Sequence, residues 1–196
     1  MVKRAFDLLI ALLAMPVVLP LMGLVAVAIR LEGPGSVLYR ARRMGENGRV
    51  FWMLKFRTMV EKADQMLLFV GKADPNGSLV YKQRDDPRVT RVGRILRQTS
   101  LDELPQLFNV IKGEMSLVGP RPELPELVER YGLWQRKRFA MPQGMTGWWQ
   151  VNGRSDRPMH LNTEDDLYYV QNYSIWLDLQ ILVRTFWVVI RGKGAY

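Results

Sequence analysis

A short acidic segment, Thr99-Ser-Leu-Asp-Glu-Leu-Pro-Gln106, holds the residues of this sequence best suited to covalent chemistry. The Asp102 carboxylate could attack a phosphorus atom, and the neighbouring Glu103 could hold a magnesium ion against the same phosphate. Adjacent residues on a helix point about 100° apart, so the two carboxylates cannot attack one phosphorus equally well, and one of them must take the metal.

Helix capping is the alternative explanation of the same segment. Ser100 and Glu103 have the spacing of a capping box, and Asp102 is favourable near a helix N-terminus. The two interpretations are compatible, because a capped N-terminus would present the carboxylates where helix N–H groups bind phosphate. Such a position favours an ionised Asp102.

Basic residues elsewhere are candidates for binding substrate phosphate. Arg121 lies between two prolines, so a stiff loop presents a guanidinium, the preferred bidentate phosphate ligand. Lys55 and Arg57 add two cations in one short segment, and Arg97 ends a run of four arginines at every third position. An ordinary basic turn and a solvated helix face are the alternatives for Arg121 and for the arginine stripe.

The segment 144–154 combines glycines, tryptophans, amides and a cation, a mixture that could cradle a nucleotide. We expect Gln150, Asn152 and Arg154 to contact a nucleotide sugar. Tryptophan pairs such as Trp148 and Trp149 more often belong to a core or an interface, which is the alternative here.

Composition limits the chemistry further. The chain has 196 residues, enough for one domain, with 28 basic and 19 acidic residues and a net charge of +9. This surplus indicates an anionic partner: nucleic acid, a membrane face or a phosphorylated substrate. The absence of cysteine and the single histidine exclude disulfides, thiolate nucleophiles and multi-histidine metal sites. A metal ion would need oxygen ligands, which suits Mg²⁺.

Residues 8–29 contain no charged side chain and form a hydrophobic segment of bilayer length. Pro20 interrupts the helical hydrogen bonding near its middle. Basic residues flank both ends, with Lys3 and Arg4 before the segment and Arg30 after it, which places both ends on the cytosolic side. A re-entrant helix broken at Pro20 fits both features. A single kinked spanning helix remains the alternative, since prolines are tolerated in membrane helices.

The elements that position these residues are predicted to be mainly helical. Two strands, 37–39 and 50–56, flank a polar turn at 45–48, and helices are predicted over 61–70, 88–98, 104–111, 123–139 and 175–190. The last of these helices suits a position in the membrane interface. The predicted class is therefore α/β, mainly helical, with interfacial amphipathic helices and a small β element. A membrane anchor covers residues 1–31 and a catalytic domain covers residues 32–196, as one functional unit.

Several segments of the chain, in their order, resemble the bacterial sugar transferase family, the monotopic phosphoglycosyl transferases. They are Lys3-Arg-Ala-Phe-Asp7, Lys55-Phe-Arg-Thr-Met59, Thr99-Ser-Leu-Asp-Glu-Leu-Pro-Gln106, 109–122, 147–154, Asp166-Leu-Tyr-Tyr-Val170 and Gly194-Ala-Tyr196. The resemblance covers nearly the whole chain. Trp148-Trp149-Gln150 is more similar to the hexose-1-phosphate branch of the family. The chain departs from the family pattern at Leu19, where members have serine, and at Pro142, where many have arginine.

This resemblance implies transfer of a sugar 1-phosphate from a nucleotide diphosphate sugar, expected to be a UDP-hexose, to polyprenyl phosphate. It implies a covalent intermediate on Asp102, Mg²⁺ bound by Glu103, and a re-entrant helix that breaks at Pro20. It places the protein at the cytosolic face of the bacterial inner membrane, initiating exopolysaccharide, O-antigen or capsule assembly. Membrane lipids are expected partners, nucleic acid is not, and a homo-oligomer is left open.

Two functions of other classes compete with this one. A nucleic-acid-binding membrane protein would use the positive charge and would show strongly salt-dependent DNA or RNA affinity. A non-catalytic membrane adaptor would use Asp102 and Glu103 only as a cap, so that Asp102→Asn would be silent.

Overall fold

A computed structural model describes residues 2–63, 65–66, 72–73, 79–80, 86–153 and 162–191. Its helices are α1 (Val2–Glu32), α2 (Arg91–Thr99), α3 (Gln106–Lys112), α4 (Pro125–Val128), α5 (Leu133–Arg136), α6 (Trp148–Val151), α7 (Thr163–Gln171) and α8 (Ile175–Arg191). Its strands are β1 (Leu38–Met44), β2 (Val50–Phe56), β3 (Lys72–Ala73), β4 (Leu79–Val80), β5 (Ser116–Val118) and β6 (Gly144–Thr146). The pairs β1–β2 and β3–β4 are antiparallel, whereas β5–β6 is parallel. The predicted class, mainly helical α/β with a small β element, is confirmed.

The β1–β2 hairpin forms around the polar turn that the sequence indicates. The strands pair in register from Leu38 opposite Phe56 to Met44 opposite Val50, so β1 is longer than predicted. The turn is a short 3₁₀ segment, and Asn47 adopts a left-handed conformation, which asparagine tolerates better than most residues.

Helix α1 packs against the rest of the protein along one stripe. Its buried residues recur at intervals of three, four or more positions on a single face: Asp7, Ala11, Met22, Val25 and Ile29. Large apolar side chains on its other faces are exposed. The protein therefore contacts α1 from its first third to its last turns and leaves the remaining faces open to an apolar environment.

Helical structure continues through Pro16 and Pro20, so the expected break at Pro20 is not an interruption of the helix. Pro20 lacks an N–H and removes one backbone hydrogen bond, yet the residues on both sides remain helical. Among the described residues, α1 alone is long and apolar enough, by length and composition, to cross a membrane.

Polar side chains fix the N-terminal part of α1 to the domain. Asp7 is buried and accepts hydrogen bonds from Ser116 Oγ (2.8 Å) and the Leu117 backbone N–H (3.1 Å). Lys3 Nζ pairs with Asp178 Oδ2 at 2.7 Å, which links α1 to α8. These contacts join α1 to residues more than 100 positions away in the sequence, on β5 and α8.

Asn109 joins α3 to the hairpin. Its fully buried side chain accepts from the Leu54 N–H (2.9 Å) and donates to the Trp52 carbonyl (2.8 Å) and to Glu114 Oε2 (2.6 Å). Helix α3 itself matches the prediction over 104–111, and it ends at Gly113 in the left-handed conformation typical of a helix C-terminus.

Three predicted helices differ in the structure. The region 123–139 forms two short helices, α4 and α5, followed by a 3₁₀ turn, Lys137–Ala140, because Gly132 is extended and starts α5. The described residues within 61–70 form turns. Helix α2 begins later than predicted, because Thr90 is its N-cap and Arg88 is buried outside it in an ion pair with Asp86.

Candidate active site

The carboxylate pair lies in a tight turn between two helices. Ser100 ends α2 in a left-handed conformation (φ 58°), and Leu101–Glu103 then form a single 3₁₀ turn before Pro105 and α3. The Ser100 side chain makes no capping hydrogen bond to this turn, so the capping-box interpretation is wrong. The positive φ at Ser100 reverses the chain and turns Asp102 and Glu103 toward β2 and the Arg121 loop.

Two cations converge on one oxygen of Glu103. Lys55 Nζ lies 2.8 Å and Arg121 Nη2 2.9 Å from Glu103 Oε1, and the three side chains keep only 16–19% of their surface exposed. Burial raises the pKa of Glu103, but the charges of Arg121 and Lys55 together outweigh burial and hold this pKa well below its ordinary range. Glu103 is therefore a permanent anion that fixes both cations beside Asp102.

Asp102 has a different environment from its neighbour. Within the part of the chain that the structure describes, its closest cation is Lys55, whose Nζ lies 3.8 Å from Asp102 Oδ2. Burial raises the pKa of Asp102, the charge of Glu103 raises it further, and Lys55 and Arg97 only partly oppose the shift. This direction is opposite to the one expected for a helix N-terminus, because the 3₁₀ turn buries the carboxyl instead. An ionised Asp102 is thus weakly stabilised, as suits a nucleophile.

The remaining cation candidates separate into two positions. Arg97 stays near the pair: its Nε donates to Thr58 Oγ1 at 3.0 Å, and its charge lowers the pKa of Asp102. Arg57 instead donates to carbonyls at the end of α1, those of Ile29 (3.3 Å), Gly33 (3.0 Å) and Pro34. Lys55, Arg97 and Arg121 therefore lie near the carboxylate pair, whereas Arg57 binds the C-terminal end of α1.

A buried arginine that sequence reasoning missed supports the Arg121 loop. Arg138 is fully buried, donates to the Arg121 carbonyl at 2.6 Å and pairs with Asp166 at 2.5 Å. Glu123 Oε2 lies 3.9 Å from the same guanidinium. Arg138 follows two other basic residues, a pattern typical of a protein surface, so its own position in the sequence does not indicate burial. The available signal was its partner Asp166, the first residue of a segment that resembles the family.

Glycines allow the Arg121 loop and the segment before α6 to meet. A Cβ on Gly144 or Gly147 would overlap the Gly119 backbone, so side chains are excluded where β5 and β6 pair. The pairing brings Trp149 to Arg121, with the guanidinium carbon 6.0 Å from the ring centroid. The close backbone approach thereby sets the position of α6 relative to the carboxylates.

The three nucleotide-sugar candidates do not share one position. Gln150 is 6% exposed and lines a small cavity together with Glu103, and neither of its amide atoms has a hydrogen-bond partner among the described residues. Asn152 is exposed and donates to the Trp148 carbonyl at 2.9 Å. Arg154 lies outside the described residues.

Comparison with known proteins places the chain in a family. The sequence pattern of the bacterial sugar transferases matches residues 1–192. The chain belongs to the bacterial sugar transferase family. Its predicted enzyme class, a phosphoglycosyl transferase, is confirmed.

Curated relatives of this transferase differ greatly in length. The exopolysaccharide production protein ExoY of Sinorhizobium fredii is 43% identical over 99% of this chain and 88% of its own. The UDP-galactose-lipid carrier transferase of Erwinia amylovora is also 43% identical, and the undecaprenyl-phosphate galactose phosphotransferase of Salmonella typhimurium is 41% identical. Both matches cover 99% of this chain but only 41% of the relative.

The carboxylates of the transferase suit a magnesium ion only in part. No group of three or more histidine or acidic side chains converges within the ranges the structure describes. Both ion pairs of Glu103 involve Oε1, and Mg²⁺ commonly uses one or two carboxylates together with substrate phosphates and water. Glu103 with Asp102 beside it therefore fits Mg²⁺ when a phosphorylated substrate completes the coordination.

Proposed function

We propose that the protein transfers a sugar 1-phosphate from a UDP-hexose to polyprenyl phosphate through a covalent intermediate on Asp102. The observation that carries this proposal is the asymmetry of the buried pair. Glu103 holds Lys55 and Arg121 at 2.8 and 2.9 Å, while Asp102 has one cation within 4 Å among the described residues, at 3.8 Å. One carboxylate is thus committed to cations, and the other is left with the weaker stabilisation that a nucleophile needs.

The first step would form the adduct. An Asp102 carboxylate oxygen attacks the phosphorus that bears the sugar, and the bond from that phosphorus to the bridging oxygen breaks. The nucleoside monophosphate leaves with the bridging oxygen and its electron pair. Lys55, Arg97 and Arg121 neutralise the diphosphate, without which a carboxylate and a diphosphate would repel each other.

The second step would regenerate the enzyme. A phosphate oxygen of polyprenyl phosphate attacks the same phosphorus, and the bond to Asp102 breaks. The product is a polyprenyl diphosphate sugar, and the carboxylate returns to its starting form. The names of the relatives, which include phosphotransferases for galactose and glucose on undecaprenyl phosphate, support this acceptor and a hexose. The relative named for UDP-galactose supports a UDP donor.

A nucleotide-sugar panel tests this function. The purified protein is incubated with each nucleotide sugar, with and without polyprenyl phosphate, and nucleoside monophosphate release is measured. We expect sustained release with a UDP-hexose only when polyprenyl phosphate is present. Salt-dependent DNA binding without any such release would favour a nucleic-acid-binding protein instead.

Removal of metal should abolish turnover. Mg²⁺ bound by Glu103 would supply charge neutralisation at the phosphates, a contribution worth several kcal/mol in metal-assisted catalysis. We expect EDTA to stop nucleoside monophosphate release and added Mg²⁺ to restore it. Full turnover in metal-free buffer would show that Lys55, Arg97 and Arg121 suffice.

The packing of α1 supports a position at one face of the membrane. A helix of 31 residues is about 46 Å long, so a spanning α1 would separate its ends by more than the hydrocarbon thickness. Yet Asp7 bonds to β5 near one end, and Ile29 accepts from Arg57 near the other, so a single domain holds both ends. We propose that α1 bends at Pro20, where one backbone hydrogen bond is missing, and so enters and leaves by the cytosolic face of the bacterial inner membrane.

Cysteine labelling tests this topology. The chain has no cysteine, so two single-cysteine variants can be compared. A cysteine at position 2 reports the N-terminal end of α1, and one at position 36 reports its C-terminal end. In intact cells, we expect an impermeant thiol reagent to label neither site, whereas inverted membrane vesicles should label both. Labelling of only one site in intact cells would establish a spanning helix.

A further inference from the structure

A small cavity lies between the carboxylate turn, α6 and α8. Its volume is about 50 Å³, and its walls include Glu103, Gln150, Thr185, Val188 and Val189. A polar site needs about 10–15 Å³ to hold one water molecule, so this cavity has room for a group of several heavy atoms. Neither Lys55 nor Arg121 is among the residues that line it.

Gln150 is one of the polar residues that line this cavity, together with Ser100, Glu103, Thr146 and Thr185. The side chain is 6% exposed, and both its Nε2 and its Oε1 are buried without a hydrogen-bond partner in the ranges that the structure describes. A buried amide without partners costs free energy that a ligand with a matching acceptor would recover. An anionic oxygen is the best match for the Nε2–H.

Helix α8 separates the cavity from an apolar surface. Thr185, Val188 and Val189 share the face that meets the cavity, as expected for residues three and four positions apart. The opposite face exposes 55–62% of each large apolar side chain: Val183, Phe186, Trp187 and Ile190. Exposed tryptophan and phenylalanine on one helix face are typical of the membrane interface. One helix, α8, therefore contributes both to the cavity wall and to a surface suited to lipid.

We propose that this cavity is the acceptor subsite, in which the Gln150 amide donates to the phosphate of polyprenyl phosphate while the chain leaves over Val188 and Val189. The proposal rests on the function proposed above. It divides the site in two: the donor diphosphate lies on the side of Lys55 and Arg121, and the lipid phosphate lies on the side of α8. The charge of Glu103 in the cavity wall is offset by its ion pairs with Lys55 and Arg121. A lipid with one phosphate and an apolar tail therefore matches one amide donor beside valines, whereas a diphosphate matches the cations.

The two half-reactions test the assignment separately. Adduct formation is followed by intact-protein mass spectrometry with the nucleotide sugar alone, and adduct decay is followed after polyprenyl phosphate is added in detergent micelles. The proposal moves Gln150 from the nucleotide-sugar contact expected from the sequence to the acceptor side. For Gln150→Leu, we therefore expect adduct formation within about twofold of the unmodified protein. We expect adduct decay to slow about ten-fold to a hundred-fold, the factor for one lost hydrogen bond to a charged group.

Two further variants complete the test. Val188→Trp fills the apolar side of the cavity, so it should raise the half-saturating concentration of polyprenyl phosphate in the decay step and leave adduct formation intact. Gln171→Leu makes the same chemical change as Gln150→Leu at an exposed position of α7 and should alter neither step.

The outcomes separate this proposal from the function on which it rests. Normal adduct formation with slow decay in Gln150→Leu supports the acceptor subsite. Unchanged decay, or adduct formation slowed as much as decay, would overturn it while the covalent route stands. An unmodified protein that forms no adduct would overturn the covalent route, and the acceptor assignment with it.

Discussion

Asp102→Asn should eliminate the phosphosugar adduct and lower turnover by at least about 10³-fold, because removal of a nucleophile abolishes the covalent route. The measurement is nucleoside monophosphate release, together with the intact mass of the protein after incubation with the nucleotide sugar. Asp102→Glu, which keeps a carboxylate but moves it by one methylene, should also be severely slowed, since in-line attack depends on position. A silent Asp102→Asn variant would favour the non-catalytic adaptor.

The same variant should not be less stable than the unmodified protein. Burial raises the pKa of Asp102, so its contribution to stability is largest below the ordinary pKa of aspartate and is lost as the pH rises through the raised value. In metal-free buffer, the melting temperature of Asp102→Asn should therefore rise relative to that of the unmodified protein as the pH increases above the ordinary pKa of aspartate. If the melting temperature of Asp102→Asn instead falls relative to that of the unmodified protein as the pH rises, the burial of Asp102 is contradicted.

Glu103→Gln should have the opposite effect on stability. It leaves Lys55 and Arg121 partly buried without the anion that both contact, and breaking a buried pair costs about 3–5 kcal/mol. Because these side chains keep 16–19% of their surface exposed, we expect about 3 kcal/mol, or about 9 °C in melting temperature for a chain of this size. The change should also slow adduct formation, mainly by weakening Mg²⁺ binding.

An exposed glutamate provides the control for this comparison. Glu46→Gln removes one negative charge from the hairpin turn, where the side chain is exposed, and should leave the melting temperature unchanged. Equal melting temperatures for Glu103→Gln and Glu46→Gln would contradict the role of Glu103 as the anchor of two cations. A loss in both variants would indicate an effect of net charge alone.

Local signals account for the parts of the fold that sequence reasoning predicted. The polar turn at 45–48 specifies the hairpin, the apolar spacing from Leu104 to Ile111 specifies α3, and Gly113 ends that helix where expected. The helix predicted over 175–190 is observed as α8, which ends one residue later. In each case, the deciding residues lie within a few positions of one another.

Long-range partners account for most of what was missed. Arg57 could bind either a substrate phosphate or the carbonyls of Gly33 and Pro34, and only the fold decides between them. Arg138 becomes part of the site because Asp166, 28 positions away, meets it in the interior. Ser100 has the right spacing for a capping box, but in the structure it is the C-cap of α2 and has a positive φ. The neighbouring sequence gives no signal of that positive φ.

The identity of the nucleophile is tested most directly by locating the adduct. The unmodified protein is incubated with the nucleotide sugar alone, digested and sequenced by mass spectrometry under conditions that preserve an acyl phosphate. We predict one sugar phosphate on Asp102, formed with stoichiometric release of nucleoside monophosphate and before any acceptor is added. An adduct on Glu103, or nucleotide release that requires both substrates, would contradict the assignment.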